Sequence, residues 1–195
     1  MRDLRLITPP AWFELDLEPS GRRASIDQMV AERTGSAVNP AFSTDLALLL
    51  ERHAAEAYER GAVRASMFSQ ELGGEHVAAA LMVLVVPGQV GTGGVADDRS
   101  ADGGRTLAWG LAEALGPEGA TEMRQLPAGP AVRVRRRLQS AIPDGEEVPV
   151  ESVQYFVPFP DGDHLVLLNF STPNLALADA FVEVFDAMAA TLSWT

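Results

Sequence analysis

The chain has 195 residues, 47% of them hydrophobic, with a formal net charge of −12 and a pI near 4.6. That length and apolar content suffice for one sizeable core, so a single domain over 1–195 is expected. All fifteen basic residues are arginine, and lysine and cysteine are both absent. This excludes P-loop and Schiff-base lysines, thiol nucleophiles, thiolate zinc sites and disulfides. The acidic balance argues against sequence-independent binding of nucleic acid or anionic membrane, since both need a basic surface. Asp3 and the lack of a seven-residue apolar run argue against a secretory signal at the N-terminus. Val77 to Val86, the longest apolar run, is about half a membrane span. With zero cysteine, these features point to a cytoplasmic protein without membrane insertion.

In chain order, Trp12 to Leu17 alternates Phe13, Leu15 and Leu17 with Trp12, Glu14 and Asp16, the pattern of a half-buried strand. Ser25 with Gln28 forms a capping-box pattern for a helix burying Ile26, Met29 and Val30 and stopping at Gly35. Asn39-Pro40 reads as a turn. Ser43 or Thr44 then caps a helix to about Arg60 with the stripe Leu46, Leu49, Leu50, His53 and Ala57. Strands follow at Val63 to Gln70 and Glu75 to Val86, joined by Gly73-Gly74. The second is apolar on both faces and is placed at the centre of a sheet covered by helices on both sides. Pro87 to Gly104, rich in glycine and aspartate, reads as a mobile loop, and a short helix is expected over Thr106 to Leu115.

The last third reads as antiparallel strands at Ala120 to Leu126, Ala131 to Gln139, Val150 to Pro158 and His164 to Ser171. Gly129-Pro130, Pro143-Asp144-Gly145 and Pro160 to Asp163 supply the turns. Thr172-Pro173 is expected to open a final helix to Leu192. Leu175, Ala178, Phe181, Val182, Phe185, Met188, Ala189 and Leu192 line its apolar face, opposite Asp179, Glu183 and Asp186. The element order has no βαβ regularity and no internal repeat, so the fold class is α+β, a mostly antiparallel sheet flanked by helices.

Several segments carry a resemblance: Trp12-Phe13-Glu14-Leu15, Tyr155-Phe156-Val157-Pro158, Leu165-Val166-Leu167-Leu168, and Phe170-Ser171-Thr172-Pro173-Asn174 running on to Phe185 through Leu192. In these the chain resembles uncharacterised actinobacterial proteins of PsbP-like fold, over roughly the last forty-five residues and the first strand. The arginine-for-lysine usage fits such a GC-rich origin. The resemblance implies an α/β/α sandwich acting by protein binding, with no active site to carry over.

Candidate chemistry is sparse. His53 and Glu56 stand at helical i, i+3 spacing, which could hold a metal or orient a base, but no second ligand pair accompanies them. His76 and His164 begin strands, where surface pairing is the commoner role. Gly88 to Gly94 follows an apolar strand, yet it lacks the Walker lysine and an adjoining helix, and Asp97, Asp98 and Asp102 repel an anion. EF-hand spacing is missing too. No Gly-x-Ser-x-Gly elbow surrounds Ser66, Ser69, Ser140 or Ser171. No catalytic, metal or cofactor residue is therefore assigned.

The most distinctive charged feature is Val132-Arg133-Val134-Arg135-Arg136-Arg137-Leu138. On a strand, Arg133, Arg135 and Arg137 share one face and Val132, Val134 and Leu138 the other, with Arg136 the exception. The arginines either pair internally, with Glu122, Glu146, Glu147 or Glu151, or recognise an acidic protein partner. Internal pairing is the commoner outcome for such a stripe. Arg133, Arg135 and Arg137 are nevertheless the candidate partner-binding residues. The expected function is a non-enzymatic interaction or accessory module. The alternative is a small-molecule binding protein or hydrolase with a pocket between sheet and helices near the Pro87 to Gly104 loop.

Overall fold

The strands β2 (Phe13–Leu15), β3 (Ala62–Leu72), β4 (Glu75–Pro87), β5 (Ala120–Leu126), β6 (Gly129–Ala141), β7 (Glu147–Pro158) and β8 (His164–Thr172) form one antiparallel sheet. Its order is β2-β3-β4-β8-β7-β6-β5. Short strands β1 (Leu4–Arg5) and β9 (Ser193–Trp194) pair separately and tie the two ends of the chain together. The structure, a computed structural model, describes residues 4–34, 40–87, 110, 120–141, 147–160 and 164–195. The expected loop at 87–104 falls beyond Pro87 outside these residues, as does the helix expected over 106–115 apart from Gly110.

Strand alternation divides the sheet into two faces. On the first, Ala79, Leu81 and Val83 of β4, Val153, Tyr155 and Val157 of β7, and Val166, Leu168 and Phe170 of β8 form the main core. Helix α3 (Ala178–Ala189) covers them with Val182, Phe185, Met188 and Ala189. Phe185 stacks on Phe170 at 5.0 Å and meets the Trp12 edge at 6.3 Å. On the second face, helices α1 (Arg22–Thr34) and α2 (Pro40–Glu59) pack through Ile26, Met29, Val30, Ala47, Leu50, Ala54 and Ala57 against Leu15, Ala62 and Ala65. Further along that face, Val132, Val134, Phe156 and Leu165 form a third buried cluster. The chain is thus α+β, a mostly antiparallel sheet flanked by helices. No helix of the described residues is long and apolar enough to cross a membrane.

Several boundaries differ from the sequence reading. Helix α1 starts at Arg22, whose guanidinium donates to the Leu17 carbonyl, while Ser25 Oγ accepts the Asp16 N–H instead of capping the helix. Helix α2 starts at Pro40, a residue suited to the first helical position because it has no N–H to satisfy there. Among its described side chains the buried stripe is Ala47, Leu50, Ala54 and Ala57, which leaves His53 exposed instead of in the core, while the expected Leu46 and Leu49 side chains lie outside the description. Gly129-Pro130 opens β6 instead of forming the turn, and Gly129 takes a φ of 130° that only glycine accepts readily. Gly73-Gly74 does form the β3–β4 turn, with φ of 63° and 85° at its two residues. Thr172 ends β8, where its hydroxyl donates to the Ala78 carbonyl and accepts the Asn174 N–H. The final helix accordingly begins later than expected, at Ala178 after a 3-10 turn over Leu175–Leu177. Helices cover β4 on both sides only in part, because Ala80 on the second face is exposed.

Phe185 is fully buried, whereas Phe181 is only partly buried at the rim against Phe68 and Phe185. Phe185→Ala should cost about 3–5 kcal/mol by urea denaturation, and Phe181→Ala clearly less. Equal losses would contradict this packing.

Candidate functional site

The β6 arginines sort by face. Arg133, Arg135 and Arg137 lie on the α3 face, together with Glu122 and Arg124 of β5 and Glu151 of β7. Arg133, with its side chain 6% exposed, donates from Nε and Nη2 to Asp186 at 2.9 and 3.2 Å and from Nη1 to Glu122 at 2.9 Å. The Tyr155 hydroxyl donates to the same Asp186 at 2.6 Å. Arg135 donates to Glu151 and to Asp179, each at 2.6 Å. Arg137 donates to the second Glu151 oxygen at 3.1 Å, and Arg124 pairs with Glu122 at 2.9 Å. Four arginines therefore meet four carboxylates, and the stripe is internally matched.

The titration shifts follow from this matching. Burial opposes the Arg133 cation, but the Asp186 carboxylate outweighs it and raises the guanidinium pKa. Burial raises the Tyr155 phenol, and the bond it donates to Asp186 raises it further. For Glu151, burial favours the neutral acid, yet the Arg135 and Arg137 guanidiniums prevail and hold its pKa below the usual carboxylate value. A carboxylate depressed in this way stabilises the fold above its unfolded pKa of about 4.3, and that stability is lost as pH falls through the folded value. Glu151→Gln should consequently be less stable than wild type at pH 7, with the gap closing as pH drops below about 4. A gap independent of pH from 7 to 3 would contradict the assignment.

Arg136 faces the other way, onto the side shared with α1 and α2. Cross-strand register sets Arg136 opposite Ser152, Ser152 opposite Ser171, and Ser171 opposite Ala80. The neighbouring row is Val134, Gln154, Asn169 and Met82. Arg136 Nη2 donates to Gln154 Oε1 at 3.0 Å, and Gln154 Nε2 donates on to Asn169 Oδ1 at 3.2 Å. Ser152 Oγ donates to the same oxygen at 3.4 Å. Both Asn169 bonds are thus accepted at its oxygen. Arg136 is half-buried, its Nε is closed to solvent without a partner, and no carboxylate pairs with it among the described residues. The three residues of the original stripe are thus held by structural pairs, and the unmatched cation is Arg136. Its signal was visible in the sequence: an arginine on the face of Val132, Val134 and Leu138 breaks the alternation. Gln154 and Asn169 are likewise lone amides inside apolar strands, and only strand register brings the three together.

The other candidates stay apart. His53 and Glu56 are exposed on α2. Ser69 Oγ lies 3.2 Å from His76 Nε2, the contact a nucleophile and base require, but the pair faces solvent near the end of the β3–β4 hairpin. His164 meets the Phe159 ring at 6.4 Å. No group of three or more metal-ligating side chains forms among the described residues. A groove of about 370 Å³ runs beside β2 and β3, lined by Glu14, Asp16, Glu18, Tyr58 and Arg64. Tyr58 donates to Glu18 and Arg64 to Glu14 across it, while Arg64 Nε is closed to solvent without a partner. Gly88 to Gly94, the loop aspartates and the pocket expected near them lie outside the described residues. Comparison of the chain with protein-family models and with curated proteins finds no match.

Proposed function

We propose that the chain is a non-catalytic protein-binding module of PsbP-like α/β/α type that holds its partner on the strip of sheet around Ala80, Ser171 and Arg136. Helices packed on both faces of the sheet support the PsbP-like assignment. The observation that carries the binding reading is the exposure of Ala80. It stands on the third of seven strands, where its neighbours Ala79 and Leu81 are only 3% and 1% exposed. Interior strand positions are normally covered, and here the exposed side chain is a methyl group beside the half-buried Ser171, small enough for another chain's backbone to approach closely. The half-buried Arg136 borders the same strip, and a bound chain can supply the counter-charge that this partly desolvated cation lacks.

A photo-crosslinking residue placed at Ala80 should give a discrete heavier adduct in the native host. The same residue at Val184, exposed on α3, should not. No adduct from position 80, or the same adduct from both positions, would contradict the proposal.

A further inference from the structure

The Arg136 ladder is polarised. Every bond in it runs from donor to acceptor toward Asn169 Oδ1, which accepts twice. The groups it leaves over are donors: Arg136 Nε, closed to solvent without a partner, and Arg136 Nη1 and Asn169 Nδ2, which make no bond among the described residues. Neighbouring strands lie about 4.8 Å apart, so β6, β7 and β8 spread these donors over roughly 10 Å. Leftover N–H donors call for a ligand that offers acceptors, and a half-buried guanidinium selects a carboxylate.

Resting on the binding-face reading above, we infer that Arg136 is a carboxylate-recognition site for one Asp or Glu side chain of an extended peptide segment. Asn169 Nδ2 is placed to take a main-chain carbonyl of that segment. Arg133, Arg135 and Arg137 already meet Glu122, Glu151, Asp179 and Asp186, so Arg136 is the β6 arginine without a carboxylate partner among the described residues. The net charge of −12 repels a polyanion at long range, so the occupant is a segment of low net charge that brings a single carboxylate.

The test titrates wild type, Arg136→Gln and Arg136→Lys with acetyl-Thr-Val-Glu-Val-Thr-amide, following the Gln154 and Asn169 side-chain amide signals by NMR. The Gln-for-Glu peptide, sodium acetate and inorganic phosphate serve as the other probes at equal concentration. Amide signal dispersion shows that each variant is folded. The Glu peptide should move both amide signals. Binding should weaken about ten- to a hundredfold for the Gln peptide or for Arg136→Gln, as loss of a charged hydrogen bond implies, and by less for Arg136→Lys. Equal binding of the two peptides, a change under twofold in Arg136→Gln, no response to the Glu peptide, or saturation by acetate or phosphate would each overturn the inference. Failure here with the Ala80 crosslink intact removes the carboxylate assignment alone. Loss of that crosslink removes the binding-face reading itself.

Discussion

The contact on which the architecture depends most is that between Arg133 and Asp186. A guanidinium almost closed to water must have its charge answered, and Asp186 answers it by accepting two hydrogen bonds from the last turn of α3. Tyr155 completes the arrangement by donating to the same carboxylate from the next strand. The apolar contacts of Phe185 and Met188 supply the larger share of the burial, but they are not directional. The three-way polar contact sets where along the sheet the helix can lie, because sliding it by one turn would break both Asp186 bonds and leave the buried Arg133 with Glu122 alone.

The other side of the same strand has different surroundings. Period-two alternation means that consecutive residues of β6 never share a surroundings, so Arg135 and Arg136 are neighbours in sequence with opposite fates. Arg135 reaches Glu151 and Asp179, whereas Arg136 finds only the amide of Gln154. An arginine with a neutral partner, half removed from water, is retained at a cost. That cost is intelligible where the counter-charge arrives with a ligand, and the proposed carboxylate site rests on it.

The strands were largely legible in the sequence because period-two patterning and Gly or Pro punctuation are local signals. β5 runs Ala120–Leu126 as read, and Leu15 and Leu17 are buried as their alternation requires. Helix starts were less legible. Ser25 has the residue type of a cap but is claimed by Asp16, and Thr172 is claimed by Ala78, a partner 94 residues away. His53 shows the effect of a one-residue error in helical phase, which turns a core position into an exposed one. The arginine stripe was visible as a pattern, but its partners Asp179 and Asp186 lie on a helix whose docking no local signal encodes. The Arg136 ladder is harder still to foresee, since it needs the register of three strands at once.

The central claim is that β6 divides its arginines into a structural set and a binding residue. Equilibrium urea unfolding of Arg133→Gln and Arg136→Gln at pH 7 tests it most directly. Arg133→Gln leaves Asp186 and Glu122 without their buried cation and should lose about 3 kcal/mol or more. Arg136→Gln removes a half-buried charge that has no carboxylate partner and should change stability by no more than about 1 kcal/mol in either direction. A severe loss from Arg136→Gln with little from Arg133→Gln would contradict the division.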